Sequence, residues 1–182
     1  MLARGMDSNI ERTTHRARDR GTMGSMRELM MLVAVALVLV ACADDASTGC
    51  VELREPQDPA SGQHVLGPGL ATYQSDPPTS GPHIAGPTPS GPLDTAIDPA
   101  IQVRLLEAGG VMVQYDDTRS PAEIAALEAF GYNLVGVAPA GGTLSRPIVV
   151  TAWTWKLSCS SVDNDAVRSF IQSRPADAPG LD

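Results

Sequence analysis

Few side chains in this 182-residue chain are of types that do chemistry, and fewer are spaced to do it together. His15, His64 and His83 are its imidazoles, and Cys42, Cys50 and Cys159 its thiols. Ser80 stands three residues before His83, but triad members meet through the fold and not by adjacency, so this spacing carries little. Gly141-Gly142 lacks the Lys-Ser or Lys-Thr that would complete a phosphate loop, and no Gly-x-Gly-x-x-Gly opens a helix. Asp116-Asp117 resembles half of a cation site but reads first as the end of a strand. Trp153 and Trp155, two apart, would share one strand face, where core packing is favoured over a sugar-stacking platform. Glu107 falls near the C-terminal end of an expected helix, where the dipole is already negative, so it calls for a cation. Arg104, three residues earlier, is placed to supply one. No arrangement for covalent catalysis is visible. The residues favour a non-enzymatic protein, with an unrecognised hydrolase as the enzymatic alternative.

Met31 to Ala41 is an uncharged apolar run, within the ~7–15 residues of a signal-peptide core and short of the ~20 that span a bilayer. Leu39-Val40-Ala41-Cys42 follows the bacterial lipobox pattern, which implies diacylglyceryl (palmitate-bearing) modification of Cys42 and cleavage before it. Residues 1–41 are therefore read as a signal peptide. The n-region is long and carries Asp7, Glu11 and Asp19, so a start at Met23 or Met26, with Arg27 as the positive charge, fits better. Residues 42–63 are expected to be a lipidated tether, 64–174 the folded domain and 175–182 a tail. With Cys42 lipidated, Cys50 and Cys159 remain in an oxidising compartment and are expected to pair, the alternative being two separate thiols. The place expected for the protein is the cell envelope, anchored to the outer side of the cytoplasmic membrane or to the outer membrane.

From Cys42 onward there are seven basic and seventeen acidic residues. A polyanion is bound by neutralising its phosphates, and this part has no basic run to do so. Nucleic acid is excluded as a partner, while an unidentified protein or small ligand is not. Attachment to a membrane must come from the anchor.

The elements that would position these residues begin late. Ten of the fifteen prolines lie between Pro56 and Pro99, which reads as coil, either a flexible stalk or an ordered arm. Asp98-Pro99 starts a helix with an N-cap and a proline in the first turn. Ile101, Leu105 and Ala108 form its inner stripe, and Gly109-Gly110 ends it. Val111–Tyr115 reads as a strand. Ser120-Pro121-Ala122-Glu123 is a capping box opening a second helix that buries Ile124, Leu127 and Phe130. Leu134–Ala138 reads as a short strand, and Ile148–Leu157 as a longer one with Val149, Trp153, Trp155 and Leu157 on the core side. A last helix is capped by Asp163 and buries Val167, Phe170 and Ile171. This order predicts an α+β fold, a small, mainly antiparallel sheet with helices on one face, preceded by a long Pro/Gly-rich arm.

Tyr73-Gln74-Ser75-Asp76-Pro77-Pro78-Thr79-Ser80-Gly81-Pro82-His83 resembles the signature of the bacterial family called domain of unknown function 3105, a Tyr, a spacer and then Pro-Pro-Thr-Ser-Gly-Pro-His. Leu106-Glu107, the strand Gly110–Tyr115, Thr151-Ala152-Trp153 and Phe170-Ile171 match in order, so the resemblance spans about residues 64 to 174. It implies that the arm is an ordered part of the fold, with Tyr73, Ser80, His83, Arg104 and Glu107 as candidate binding residues. Relatives carry two histidines one helical turn apart where this chain has Arg104 and Ala108. Such histidines, with one from the arm, would suit copper or zinc. Here His64, His83 and Met112 would have to provide such a site beside Glu107, so the alternative reading is a transition-metal-binding or redox-associated envelope protein with a weakened site for copper or zinc.

The anchor has a direct test. Cys42→Ser is expected to leave the membrane fraction or to stay unprocessed in whole cells; an unchanged, membrane-bound mature form would contradict the lipobox reading.

Overall fold

The computed structural model describes residues 49–174 and 178–181. Residues 1–41, read from the sequence as a signal peptide, and Cys42 lie outside the described residues. The elements are β1 (Cys50–Arg54), β2 (His64–Val65), β3 (His83–Ile84), β4 (Gly91–Pro92), α1 (Pro99–Glu107), β5 (Val111–Tyr115), α2 (Pro121–Glu128), β6 (Val135–Pro139), β7 (Ile148–Ala152), β8 (Trp155–Cys159), α3 (Asn164–Ser173) and a final 3-10 turn, Pro179–Leu181.

Six strands form one sheet in the order β1-β8-β7-β5-β6-β4, and β2 and β3 form a separate parallel pair. The contacts β1–β8, β8–β7 and β7–β5 are antiparallel, whereas β5–β6 and β6–β4 are parallel. The fold is α+β with a mainly antiparallel sheet, as the sequence predicts. Parallel β5 and β6 cannot be joined by a tight turn, and α2 makes the crossover between them.

The strongest local signals are realised as written. Asp98 caps α1 by accepting from the Ala100 amide at 2.8 Å. Ser120 and Glu123 form the reciprocal capping box of α2. Gly109, at φ +80°, turns the chain out of α1 while the amides of Gly109 and Gly110 return to the carbonyls of Leu106 and Leu105. A side chain on Gly110 would meet Leu105 Cδ1 at 2.2 Å, so strand β5 can start this close to the helix only with glycine there.

The helices do not all share one face. Val111, Val113, Val137 and Val150 face α2 and α3, where Leu127, Val167 and Phe170 close the larger core. Met112 and Ala138 point the other way and pack beneath Val103, Leu105 and Leu106 of α1. Alternation along β5 leaves all five of its residues buried, as a strand covered on both sides must be. Each large apolar side chain so buried contributes about 1.5–3 kcal/mol.

Three further expectations are corrected. First, residues 148–157 are not one strand. The chain reverses at Trp153-Thr154, so Ala152 lies opposite Trp155 and the two tryptophans sit in different cores. No sugar platform exists there, and Arg54 and Arg174 lie over the Trp155 ring at 5.4 and 4.0 Å. Thr154 takes φ +60°, unfavourable for a β-branched residue. It is held by its amide donating to Thr79 O at 3.0 Å and its carbonyl accepting from Glu55 N at 2.8 Å. Second, residues 50–54, placed in the tether by composition, are an edge strand. Their partner, β8, is remote in sequence, and the disulfide Cys50–Cys159 joins the two strands at directly opposed positions. Closing a loop of 109 residues removes about 4–5 kcal/mol of unfolded-chain entropy in the polymer model. Third, Ile101 does not belong to the buried stripe of α1. Gln102 is buried in its place, and Ile101 lines a surface cleft. At the C-terminal end Ala178 is buried with the α1 core, and Gly180 comes so close to α1 that a Cβ there would meet Glu107 O at 2.7 Å.

Candidate functional site

Pro77 to His83 is an irregular segment, and all seven of its residues are buried. It follows a cis peptide at Asp76–Pro77. A buried backbone without ladder partners must satisfy its polar groups elsewhere. The carbonyl of Pro78 accepts from Gln102 Nε2 at 3.1 Å, and the same amide group donates to Thr151 Oγ1 at 2.9 Å. Thr79 O holds the β7–β8 hairpin through Thr154, and Thr79 Oγ1 donates to Glu55 Oε2 at 2.8 Å. The other Glu55 oxygen pairs with Lys156 Nζ at 2.7 Å. Burial pushes the Glu55 carboxyl up, but hydrogen bonds from Lys156, Ser75 and Thr79 outweigh that and hold it below the usual carboxylate range.

Ser80 Oγ accepts from the Asp58 amide at 2.8 Å. The Tyr73 hydroxyl donates to Pro82 O at 2.9 Å, and burial, with the negative charges of Asp98 and Asp58 behind it, pushes that phenol up to about 12. Gly81 lies under the Tyr73 ring at φ +132°, where a Cβ would come within 2.9 Å of Tyr73 Cδ1. Tyrosine and glycine in the signature therefore fit each other.

His83 ends the segment and begins β3. It lies opposite His64 in the parallel β2–β3 pair, with the two rings edge to face at 4.7 Å. His83 is 1% exposed. Its Nε2 is 2.9 Å from Glu107 Oε2, and Arg104 reaches the same oxygen at 3.4 Å while its Nε donates to Gly86 O at 3.2 Å. The expected Arg104–Glu107 pair is present, but the imidazole is the closer partner. Burial pushes the His83 pKa below its ordinary value, with His64 and Arg104 acting in the same direction and the Glu107 carboxylate and Gly81 backbone opposing. Its Nε2 faces the Glu107 carboxylate, and Nδ1 has no well-formed hydrogen bond among the described residues.

The structure thus brings His64, His83, Arg104 and Glu107 together and gives Tyr73 and Ser80 separate places in the arm. Met112 is a core residue, its methyl group filling the space over Gly136. Among the described residues no three His, Cys, Asp or Glu side chains are grouped to hold a metal ion. Asp116 caps a turn by accepting from the Thr118 amide. Gln102, Thr79, Asp58 and the Glu55–Lys156 pair were not singled out from the sequence. Gln102 shares the buried helix face of Leu105 and Leu106, but as a polar side chain it gave no sign of this in the apolar periodicity. Beyond His83 the chain forms one wall of an apolar cleft of about 320 Å³, lined by Ile84, Ala85, Pro87 and Pro89 with Ile101 and Arg104 of α1 opposite.

Fold and site together define an α+β domain whose proline-rich segment is built into the sheet and α1, with a histidine–carboxylate pair at its end. The chain belongs to the family described as protein of unknown function (DUF3105), which matches residues 64–180. No curated protein and no solved structure matches it.

Because His83 is buried with a lowered pKa, its contribution to stability is complete above the unfolded value of 6.5 and is lost as pH falls below it. Urea unfolding from pH 8 to 5 should show that loss in the native protein. His83→Gln should cost about 1–3 kcal/mol at pH 8 and show a shallower decline below pH 6.5. Parallel pH profiles would contradict the assignment.

Proposed function

We propose that this is a lipid-anchored domain of the cell envelope that binds a partner without catalysing a reaction, and that its binding surface is the apolar cleft beside His83. The observation that carries the reading is how the signature is used. Ser80, Thr79, Tyr73 and His83 are each bound to the fold, and His83 aims its Nε2 at Glu107 and not at a nucleophile. A buried segment bonded to the fold at these points suits a scaffold. The cleft it supports is open, apolar and walled by prolines, whose fixed φ lets a surface form at small entropic cost. Arg104 at its rim is cationic in an otherwise acidic domain. The ligand that fits is a compact apolar group with an anionic end, from a small molecule or a protein segment.

A solvatochromic apolar anion, such as a naphthalene sulfonate or a fatty-acid probe, should bind the native protein. Ile101→Arg, on the outer side of α1, should weaken that binding at least tenfold with little change in melting temperature. Equal binding by the variant would remove the cleft from consideration.

A second reading has one observation of its own. A metal-bound histidine characteristically donates its other ring nitrogen to a carboxylate, and His83 turns Nε2 to Glu107 while Nδ1 has no well-formed hydrogen bond and the His64 ring packs edge to face against the imidazole. Two imidazoles are an incomplete set for zinc or copper, so any such site would draw on solvent or a partner for further ligands. Stoichiometric metal in the purified protein, absent from His83→Ala, would favour this reading over the first.

A further inference from the structure

The two edges of the six-stranded sheet are unlike. At one, β4 is two residues long and includes Pro92, which has no N–H to offer, so the ladder is blunted there. At the other, β1 runs in unbroken register with β8 over five residues, with no proline and no bulge. Val51, Glu52, Leu53 and Arg54 are all exposed, Val51 and Leu53 by 53% and 57%. Among the described residues nothing pairs with the outer side of β1. The disulfide at Cys50 fixes the strand to β8, so this edge is presented already ordered.

Alternation in the antiparallel ladder decides which groups face out. Gly49 O accepts from Ser160 N, and Glu55 N donates to Thr154 O. Odd-numbered residues therefore bond to β8, and the N–H and C=O groups of Cys50, Glu52 and Arg54 point away from the sheet. Side chains alternate independently of this. Glu52 and Arg54 stand on the α3 face, where Arg54 is opposite Trp155, and Val51 and Leu53 stand on the other.

We propose that β1 is a homotypic interface through which two copies of this chain pair antiparallel, with Leu53 opposite Leu53. Hydrogen bonding across the edge requires even-numbered residues to oppose even-numbered ones. Placing Glu52 against Glu52 would oppose like charges. Placing Glu52 against Arg54 of the second copy, and Arg54 against its Glu52, gives two opposite-charge pairs on one face. The same register puts the two Leu53 side chains together on the other face, where each is exposed in the single chain. The sequence Glu-Leu-Arg is thus its own complement about Leu53, which an isologous two-fold contact requires. This inference does not rest on the cleft or on the anchor.

Analytical ultracentrifugation of the full chain in non-ionic detergent tests it. The native protein should move toward twice the monomer mass as concentration rises. Glu52→Arg and Arg54→Glu should each raise the dimer dissociation constant about tenfold or more, since each converts both cross-strand pairs to like charges. An equimolar mixture of the two variants should restore the dimer, because every pair is then again between opposite charges, and that rescue also shows both variants to be folded. Leu53→Cys should cross-link between copies under oxidation, whereas Val51→Cys, four residues out of register with itself, should not. A native protein that stays monomeric would leave the edge to another chain or a lipid surface and would overturn the proposal. So would a dimer indifferent to the reversals, a mixture that stays monomeric, or cross-linking by both cysteine variants alike.

Discussion

A buried segment with no ladder of its own has to find a partner for each polar group, and that constraint organises this molecule around Pro77–His83. Gln102 answers part of it by reaching from α1 to both Pro78 O and Thr151 Oγ1. One side chain so ties the arm, the helix and strand β7. Removing it would leave a carbonyl and a hydroxyl buried without partners, at about 1–3 kcal/mol for each unsatisfied group. Thr79 performs the corresponding task at the end of the sheet. Its carbonyl holds Thr154 in a backbone conformation that threonine would not adopt alone, and its hydroxyl joins the Glu55–Lys156 pair.

The constraint divides the labour along the arm. The polar types in Tyr-x-x-x-Pro-Pro-Thr-Ser-Gly-Pro-His invite a catalytic interpretation, yet the Ser80 hydroxyl accepts a backbone amide and the His83 ring meets a carboxylate on α1. Residues that point outward are those beyond the signature, Ile84 to Pro89, together with Ile101 and Arg104. The part of the domain most recognisable in sequence holds the fold, and the adjoining, chemically plainer part offers a surface.

How far the sequence revealed this depended on whether the information was local. The capping box at Ser120–Glu123, the Asp98-Pro99 start and the Gly109-Gly110 stop each require only a few neighbouring residues, and each formed where it was expected. The pairing of Cys50 with Cys159 followed from counting thiols. The hairpin at Trp153-Thr154 was illegible because neither residue is a turn former; its conformation is imposed by Thr79 and Glu55, remote in sequence. Strand β1 was hidden for the same reason, since β8, with which it pairs, lies 109 residues away at the disulfide. At the site, the Arg104–Glu107 pair was visible as helical spacing, while the closer contact of Glu107 with His83 needed the arm to fold back over α1. Gln102 was missed because a polar residue beside an apolar stripe reads as solvent-facing unless a buried acceptor is known to await it.

Native-state hydrogen exchange tests most directly whether Pro77–His83 is a structural clamp. The amides of Asp58, His83 and Thr154, bonded to Ser80 Oγ, Gln63 O and Thr79 O, lie in loops and turns or at the edge of a short strand pair. If the arm is integral to the fold, they should exchange only through global unfolding, with the same free energy and denaturant dependence as the amides of β5. Exchange of these three through a low-energy local opening, while β5 stays protected, would contradict the account and return the arm to the status of a stalk.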